Sequence, residues 1–514
     1  MQQRWRLLHQ PLSTLWFMLL LMAVFRGPSL HSVTAMAHTP ERPNIIVFIA
    51  DDVNWNDFGC YGNPAARTPN IDDLANHGIR YTNAYLTASS CSPSRSSIIT
   101  GRYPHNLGRA AELHLPIASN IPWFPELLRE AGYYSILCGK NHMSVDPQVG
   151  EQARPPAFDV IDPGRTRGNS GGHANWVKHL VERPQNRPFF AWFAAYDAHR
   201  DWDGDTQWDT ARYGPRHDPQ DVVVPPYLID DDATRRDLAS YYNEVTRFDH
   251  FVGEVVEELR RQQALENTLI LVLADNGRPF PRAKTRLHDS GMKTALIAHW
   301  PREIKEAATC PSLVSSIDLA PTILAAANIA PSASMQGIAL QPTFTDPRAE
   351  VRRYAFSEHN WHDYEAHGRA VRDGRFLYIR NFRPQYPWQG PADSVRSPSH
   401  RSLLDQRDSS SLTAAQRDVL RAPRPAEELY LVDADPWQLN NLVHDPRYED
   451  ELQRLRGILD QWMEQTGDSV PDRLSADAFD RQTGRRLPIA GEAFRGTTPG
   501  MDRAAYRMNA AGPR

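Results

Sequence analysis

The sequence NIIVFIADD, residues 44–52, combines an unbroken apolar run rich in β-branched residues with two aspartates at its carboxyl end. A run of this kind is typical of a strand that is covered on both faces in a parallel sheet. The segment TLILVLADNG, residues 268–277, repeats the pattern, again with an acid and an amide directly behind the apolar run. The two segments predict two buried strands of one central sheet.

Helix and strand patterns alternate between these two segments. Ile71–His77 predicts a helix that begins after a Pro-Asn turn and ends at Gly78, and Tyr134–Leu137 and Phe189–Ala195 predict short strands. Such alternation is typical of an α/β sandwich with one large, mostly parallel central sheet.

The pattern changes after about residue 345. The sequence RAVRDGRFLYIR, residues 369–380, has the Asp-Gly turn of an antiparallel hairpin, and Glu427–Val432 predicts another strand. Five apolar side chains further on share one face of a predicted helix. They are Leu452, Leu455, Ile458, Leu459 and Trp462. These elements predict a second, smaller α+β domain with an antiparallel sheet.

The domain boundaries follow from these changes of pattern. We expect the large α/β domain over residues 38–345, the smaller C-terminal domain over 346–475 and a tail over 476–514. Residues 384–424 are rich in Pro, Ser and Arg, and they predict a long surface excursion.

Residues 1–37 have the features of an export signal. Arg4 and Arg6 precede an apolar run from Leu15 to Val24, and Ala35-Met36-Ala37 offers a small-residue cleavage site. A membrane anchor is the alternative, but a run this short falls well below the roughly 20 residues that span a bilayer. We expect an exported protein without a stable membrane anchor, periplasmic or secreted. The lack of an Asn-x-Ser/Thr acceptor favours a bacterial over a lysosomal protein.

Composition excludes some classes of function. The formal net charge is -5, with acidic and basic residues mixed along the chain, so we expect no nucleic-acid partner. The cysteines are Cys60, Cys91, Cys138 and Cys310, and they are too sparse for a disulfide framework.

Acid and amide side chains follow both buried strands. Asp51 and Asp52 come after the first, and Asp275 and Asn276 after the second. Ligand sites in open α/β sheets lie beyond the carboxyl ends of the strands, so these side chains could meet. Three crowded carboxylates repel one another unless a cation neutralises them, and an oxygen ligand set suits Ca²⁺ or Mg²⁺. The alternative is that each pair only caps the following turn.

The sequence CSPSRSSIITGR, residues 91–102, places a cysteine in a small-residue turn with Arg95 four residues on. The turn stands at the mouth of a predicted helix, whose amide donors and dipole favour an anion. Such a position would lower the pKa of the Cys91 thiol or hold an anionic group. The alternative is a cysteine in an ordinary turn.

This stretch resembles the signature of the type I, formylglycine-dependent sulfatases. Other motifs match the family in order along most of the chain. They are Asp51-Asp52, Gly139-Lys140-Asn141-His142, His199, Asp275-Asn276-Gly277, Glu428-Leu429-Tyr430, Asp435-Pro436 and Asn441-Leu442. Within the family, the segments 188–200, 222–249 and 275–281 are most similar to heparan N-sulfatase, the sulfamidase of N-sulfoglucosamine.

The resemblance implies an alkaline-phosphatase-like fold and a formylglycine made from Cys91 by a formylglycine-generating enzyme. It also implies a site that holds Ca²⁺. The implied metal ligands are Asp51, Asp52, position 91, Asp275 and Asn276, and the implied catalytic residues are Cys91, Arg95, Lys140, His142, His199 and Lys284.

By the same resemblance, Lys140 and Lys284 hold the sulfate, Arg95 steadies position 91, His199 protonates the leaving group and His142 acts as the base. Arg282 or Arg286 could take the place of Lys284.

The sequence EHNWHD, residues 358–363, is dense in polar and aromatic groups of the kind that bind sugars, so His359 and His362 are candidate substrate-binding residues. A surface loop with incidental aromatic residues is the alternative. We expect hydrolysis of sulfate esters or sulfamates of a sulfated saccharide. The alternatives are a phosphonate monoester or phosphodiester hydrolase of the same superfamily and a non-catalytic sulfoglycan-binding protein. The sequence does not indicate the oligomeric state.

Overall fold

The computed structural model describes residues 42–152, 154–202, 206–408, 410–488 and 493–514. The predicted export signal, residues 1–37, lies outside the described residues. Within these ranges, no helix is both long and apolar enough to cross a lipid bilayer.

The described chain contains fourteen strands and thirteen α-helices. The strands are β1 (Asn44–Ala50), β2 (Ile79–Tyr85), β3 (Ile117–Ala118), β4 (Tyr134–Gly139), β5 (Val145–Asp146), β6 (Val160–Asp162), β7 (Phe189–Ala194), β8 (Thr268–Ala274), β9 (Lys293–His299), β10 (Ala308–Ser315), β11 (Ala355–His359), β12 (Gly368–Arg372), β13 (Phe376–Asn381) and β14 (Glu427–Leu431). The helices are α1 (Pro69–Asn76), α2 (Cys91–Thr100), α3 (Phe124–Glu130), α4 (Trp176–Glu182), α5 (Thr210–Tyr213), α6 (Asp232–Arg261), α7 (Asp289–Met292), α8 (Leu319–Ala326), α9 (Gln341–Thr345), α10 (Ala392–Val395), α11 (Pro398–Asp405), α12 (Ala414–Leu420) and α13 (Glu449–Thr466).

The large sheet has eight strands in the order β10-β2-β9-β8-β1-β7-β4-β6. Every neighbouring pair is parallel except the two pairs that β9 makes with β8 and β2, which are antiparallel. The prediction of a large, mostly parallel central sheet is therefore confirmed. The small strands β3 and β5 form a separate parallel pair.

The central strands are apolar throughout because both faces of the sheet are covered. Along β1, Ile46 and Phe48 contribute to the apolar core on one face, and Ile45, Val47 and Ile49 contribute to the core on the other. Residues from α1, α4 and α6 complete the first core, and residues from α2, α3 and α8 complete the second. Two-sided burial explains why the strand sequences show no alternation.

The smaller sheet is antiparallel, in the order β11-β12-β13-β14. Its hairpin between β12 and β13 lies where the Asp-Gly turn predicts it, and α13 packs on the sheet. Leu452, Leu455, Leu459 and Trp462 of α13 are buried, and the ring of Trp462 stacks on that of Phe356 with a centroid distance of 4.8 Å. The second group of predicted elements is thus confirmed. The exact domain boundaries stay predictions.

The prediction of a surface excursion over residues 384–424 was wrong. This segment contains α10, α11 and α12, and Leu403, Leu412 and Val419 are buried in the same core as α6. The helices are short, so their few buried positions do not produce a readable periodicity among the Pro, Ser and Arg residues.

Candidate active site

The carboxyl ends of β1 and β8 bring the predicted acids together. The two strands are parallel and in register, with Ala50 opposite Ala274, so the residues that follow them are neighbours. The backbone N–H of Asp52 donates to Asp275 Oδ1 at 3.2 Å, and Asn276 Nδ2 donates to Asp52 Oδ1 at 2.6 Å. Asp51, Asp52, Asp275 and Asn276 are all buried.

Cys91 is the first residue of α2 and points at these acids. Its Sγ lies 3.7 Å from Asp52 Oδ1. All ten residues of α2 are buried although most are polar, and the helix ends at Gly101, which adopts a left-handed conformation with φ of 67°. Burial raises the pKa of the Cys91 thiol, and Lys140 and Lys284 only partly offset this effect. The expectation of a lowered thiol pKa is therefore not met.

Three buried cations surround the acids. Arg95 Nε donates to Asp275 Oδ2 at 2.7 Å, Lys140 Nζ donates to Asp51 Oδ2, and Lys284 Nζ lies 2.7 Å from both carboxylate oxygens of Asp52. We call these six charged residues, Asp51, Asp52, Asp275, Arg95, Lys140 and Lys284, the catalytic cluster. It contains all the charged residues that the family resemblance assigned to the metal, to position 91 and to the sulfate.

Arg282 and Arg286, the alternatives to Lys284, contact other groups. Arg282 donates to Asp418 and to two backbone carbonyl groups, and Arg286 lies against Asp418. Because only Lys284 of these three basic residues contacts Asp52, the structure favours it as the cation of this loop at the site.

The electrostatics of the carboxylates reflect this crowding. Burial by itself would raise the pKa of Asp51, but Lys140 and Arg95 lower it well below its usual range. Burial raises the pKa of Asp275 to about 6 despite Arg95, and the charges of Asp51 and Asp52 contribute to the rise. Three acids in one buried pocket therefore destabilise one another's charged forms unless positive charge offsets the repulsion.

Two buried oxygen atoms identify where a metal cation fits. Asp51 Oδ1 and Asn276 Oδ1 have no hydrogen-bond partner among the residues that the structure describes. Cys91 Sγ and carboxylate oxygens of Asp51 and Asp52 also lie within 4.8 Å of one another. Carboxylate and amide oxygens are the ligands that Ca²⁺ prefers, so the residues present fit the ion that the sequence predicts.

His142 lies in the cavity beside Lys140 and is paired with a residue that the sequence analysis missed. His142 Nε2 and His114 Nδ1 are 2.6 Å apart, and His142 Nδ1 is buried without a hydrogen-bond partner in the described chain. Burial, helped by Lys140, lowers the pKa of His142 to about 2, so its ring is neutral. His114 belongs to no motif and stands on a loop, and no sequence signal singles it out.

His199 also has a partner from a distant part of the chain. Its Nε2 lies 4.0 Å from Asp52 Oδ2 and 3.9 Å from Oδ2 of Asp393 at the start of α10. Its Nδ1 contacts the backbone oxygen of Arg200. Asp393 was missed because it lies in the segment that the sequence analysis took for a surface excursion.

The two candidate sugar-binding histidines have different surroundings. His362 Nδ1 lies 2.7 Å from the hydroxyl of Ser90, the residue that precedes Cys91. Burial, together with the charges of Lys284 and His114, lowers the pKa of His362. His359 packs edge-on against Trp388 with a centroid distance of 4.9 Å. Both side chains are buried, so the alternative interpretation, a surface loop with incidental aromatic residues, is wrong for these two residues.

The C-terminal tail also contacts the site region. Trp361 stacks on Phe494 with ring centroids 5.3 Å apart, and its indole N–H donates to the backbone oxygen of Ala476. Cys91, Trp361 and Ala478 belong to one small apolar cluster. Residues of the predicted tail thus pack close to the proposed nucleophile.

Comparison with known proteins agrees with this geometry. Residues 43–329 match the model of the Sulfatase family, and residues 283–415 match that of the N-sulphoglucosamine sulphohydrolase C-terminal region. The chain therefore belongs to the sulfatase family, and it is a sulfuric ester or sulfamate hydrolase with an alkaline-phosphatase-like fold.

Two relatives and one solved structure illustrate the relationship. An ulvan-active sulfatase of Formosa agariphila is 33% identical over 481 residues, which cover 84% of this chain and 76% of the relative. Human N-sulphoglucosamine sulphohydrolase is 30% identical over 464 residues, which cover 83% of this chain and 91% of the relative. A structure described as a complex with its substrate D-glucosamine-2-N,6-O-disulfate superposes with a TM-score of 0.60 at 19% identity, and the match covers 82% of this chain and 98% of that chain. At this identity, the structural likeness concerns the fold.

Proposed function

We propose that this sulfatase releases inorganic sulfate from a sulfated carbohydrate, using a formylglycine at position 91 and a bound Ca²⁺. The observation that carries the proposal is the catalytic cluster itself. The side chain of residue 91 lies at hydrogen-bonding distance from Asp52, in a buried site where Asp51 Oδ1 and Asn276 Oδ1 accept no hydrogen bond from the described residues. The family membership and the intact set of motif residues support the same reaction.

The metal would be held by Asp51, Asp52, Asp275, Asn276 and the side chain at position 91. When bound, Ca²⁺ beside the hydrated aldehyde supplies a hydroxyl nucleophile of lowered pKa and neutralises charge on the sulfate. Arg95 contacts Asp275 and the backbone oxygen of Lys140, so it fixes these two residues relative to each other and steadies position 91.

Lys140 and Lys284 are the residues that can bind the sulfate oxygens. Both are buried, and in the absence of substrate each lies against one acid of the cluster. The oxygens of a bound sulfate would accept hydrogen bonds from these ammonium groups in competition with the acids. The site has a low dielectric, in which charge-assisted hydrogen bonds are strong. The two lysines thereby orient the sulfur toward position 91.

The two histidines move protons at defined atoms. His199 Nδ1 lies against a backbone oxygen and so carries a proton. To act as the acid, His199 must be an imidazolium that also carries a proton on Nε2, and Nε2 gives this proton to the leaving oxygen or nitrogen. His142 shares a proton with His114 through Nε2, so its Nδ1 is the atom that accepts a proton from a hydroxyl at position 91. Acid and base thus come from two separate loops.

The substrate class follows from the relatives and from the histidines of the smaller domain. One relative acts on ulvan and another on N-sulphoglucosamine, both sulfated saccharides. In this proposal, His362, which contacts Ser90 at the cap of the Cys91 helix, and His359 bind the sugar. We include in this proposal export directed by residues 1–37, periplasmic or secreted location, maturation by a formylglycine-generating enzyme, and domains over residues 38–345 and 346–475, followed by a tail.

Sulfate release from a panel of defined saccharides tests the proposal. The panel contains N-sulfoglucosamine, O-sulfated glucosamines and oligosaccharides of ulvan, and an aryl phosphonate and an aryl phosphodiester serve as competing substrates. We expect sulfate release from at least one saccharide, lost on replacement of Cys91 by Ser. Faster turnover of the phosphonate or phosphodiester would favour the rival hydrolase, and sugar binding without sulfate release would favour a binding protein.

A further inference from the structure

The cavity at the active site extends beyond the catalytic cluster. It has a volume of about 370 Å³, and Lys140, His142 and His199 line it together with the loop after β6, the rest of the segment after β7 and Glu244 of α6. Because His199 is the proposed proton donor to the leaving group, the sugar that carries the leaving atom lies in this cavity. The remaining lining residues therefore face the sugar rather than the transferred sulfate.

Arg165, on the loop after β6, lines this cavity and is held in place. Its Cζ lies 3.6 Å from the centroid of the Tyr196 ring, and its Nε donates to the backbone oxygen of Ser170 at 2.9 Å. The loop is closed by backbone hydrogen bonds in both directions between Thr166 and Asn169. A guanidinium that is restrained in this way loses little further side-chain entropy when it binds a ligand.

The Nη atoms of Arg165 differ in their hydrogen-bond partners from those of Arg200, the other arginine in the cavity. Arg200 uses both Nη atoms to bind the carboxylate of Asp237, each at 2.7 Å, so its charge is neutralised. For Arg165, no carboxylate of the described residues lies within ion-pair distance, and only Nε has a hydrogen-bond acceptor. Arg165 therefore presents a positive charge and a planar pair of donors to the cavity.

We propose that Arg165 binds a second anionic group, a sulfate or a carboxylate, on the saccharide whose first sulfate is removed. The inference rests on the proposed function, because it assumes that a sugar occupies the cavity. Two parallel N–H donors match the oxygens of either anion. The subsite would make the enzyme selective for multiply charged saccharides over singly sulfated ones.

Binding measurements test this subsite without requiring turnover. We would measure calorimetric affinities on a Cys91→Ser background for N-sulfoglucosamine, for D-glucosamine-2-N,6-O-disulfate, and for N-sulfoglucosamine linked to a uronic acid. Arg165→Gln should weaken binding of one or both doubly charged probes by about fivefold or more, and binding of N-sulfoglucosamine by less than about twofold. A loss for the disulfate identifies a sulfate ligand, and a loss for the disaccharide identifies a carboxylate.

Arg167→Gln provides the matched control. Arg167 is exposed on the same loop and does not line the cavity, so this variant makes the same change of net charge without removing a cavity donor. The proposal is overturned if Arg167→Gln causes an equal loss, if Arg165→Gln weakens all three probes by the same factor, or if neither doubly charged probe binds or is affected. Failure of the wild-type enzyme to release sulfate from any saccharide of the panel described above would instead contradict the proposed function, because these affinities do not depend on turnover.

Discussion

One loop contributes to two buried clusters of charge, and the clusters differ in what they lack. Lys284 enters the catalytic cluster, whereas Arg282 and Arg286 enter a second group that we call the arginine cluster: Arg282, Arg286, Arg424, Asp418 and Glu428. In and beside the catalytic cluster, the buried atoms without a hydrogen-bond partner in the described chain are the acceptors Asp51 Oδ1 and Asn276 Oδ1 and the donor Arg95 Nη2, which lies 3.6 Å from Asp51 Oδ1. In the arginine cluster they are donors of Arg286 and Arg424.

This difference distinguishes a metal-binding site from a cluster of charges that only links parts of the fold. Acceptor oxygens without hydrogen-bond partners beside crowded acids can bind a metal cation. N–H donors without hydrogen-bond partners, beside acids whose oxygens already accept hydrogen bonds, cannot. Burial alone would raise the pKa of Asp418, but Arg424, Arg286 and Arg282 lower it to well below its usual range. The arginine cluster thus joins α12 and β14 to the loop that carries Lys284. We expect it to govern stability, and the catalytic cluster to govern activity.

Cys91→Ser gives the largest expected effect, confined to activity. A serine cannot become formylglycine by this maturation route and lacks the second hydroxyl from which His142 takes a proton, so sulfate release should fall by at least about 10⁴-fold. The free energy of unfolding, measured in urea, should change by less than about 1 kcal/mol because the side chains are similar in size. Activity that persists in Cys91→Ser would break the assignment of the nucleophile.

Asp418→Ala should show the opposite behaviour. Removing this acid leaves Arg282 and Arg286 without their carboxylate partner and Arg424 with Glu428 alone, and the protein should lose about 3 kcal/mol of unfolding free energy. The folded fraction should keep its kcat within about threefold. Asp408→Ala, at a fully exposed acid, is the control and should change stability by less than about 0.5 kcal/mol. A stable but inactive Asp418→Ala enzyme would contradict the separation of the two clusters.

Removal of Ca²⁺ should affect the catalytic cluster alone. At a Ca²⁺ concentration about 100 times the dissociation constant, binding stabilises the fold by about 2.7 kcal/mol, and a chelator should abolish this gain and the activity together. The check is thermal unfolding with and without chelator. Asp51→Asn should lose the Ca²⁺ response, whereas Asp418→Ala should keep it. An equal response in both variants would mean that the ion binds elsewhere.

His114→Phe should give the smallest effect. Loss of the partner of His142 Nε2 should lower kcat by about tenfold with little change in KM, because one hydrogen bond that orients the base is removed. His114→Gln keeps a polar group near that nitrogen and should recover most of kcat. If both variants behave like the wild type, the histidine pair does not position the base.

The central features of the fold could be predicted because two-sided burial leaves a strong signal. The apolar runs of β1 and β8 and the acids behind them indicate both the sheet and the edge where Asp51 and Asp275 meet. The antiparallel direction of β9 could not be predicted, since Lys293–His299 is buried nearly as fully as the parallel strands β1 and β8, and strand direction leaves no periodicity in the sequence. The class of the sheet was therefore predicted correctly, and the prediction did not extend to the order of its strands.

The site was predictable where motifs lie on regular elements and unpredictable where tertiary contacts assemble it. Cys91, Arg95 and Lys140 follow from local sequence. His114 and Asp393 reach the site from loops and a short helix, and their positions depend on packing between parts of the chain that are distant in sequence. Lys284 was chosen over Arg282 and Arg286 by resemblance, and only the opposite orientations of these side chains distinguish them.

The mass of the tryptic peptide Tyr81–Arg95, taken from protein matured in its native host, tests the central claim most directly. The account predicts a peptide whose residue 91 has lost its sulfur and carries an aldehyde that reacts with a hydrazide probe. An unmodified Cys91 thiol in fully active enzyme would contradict the account.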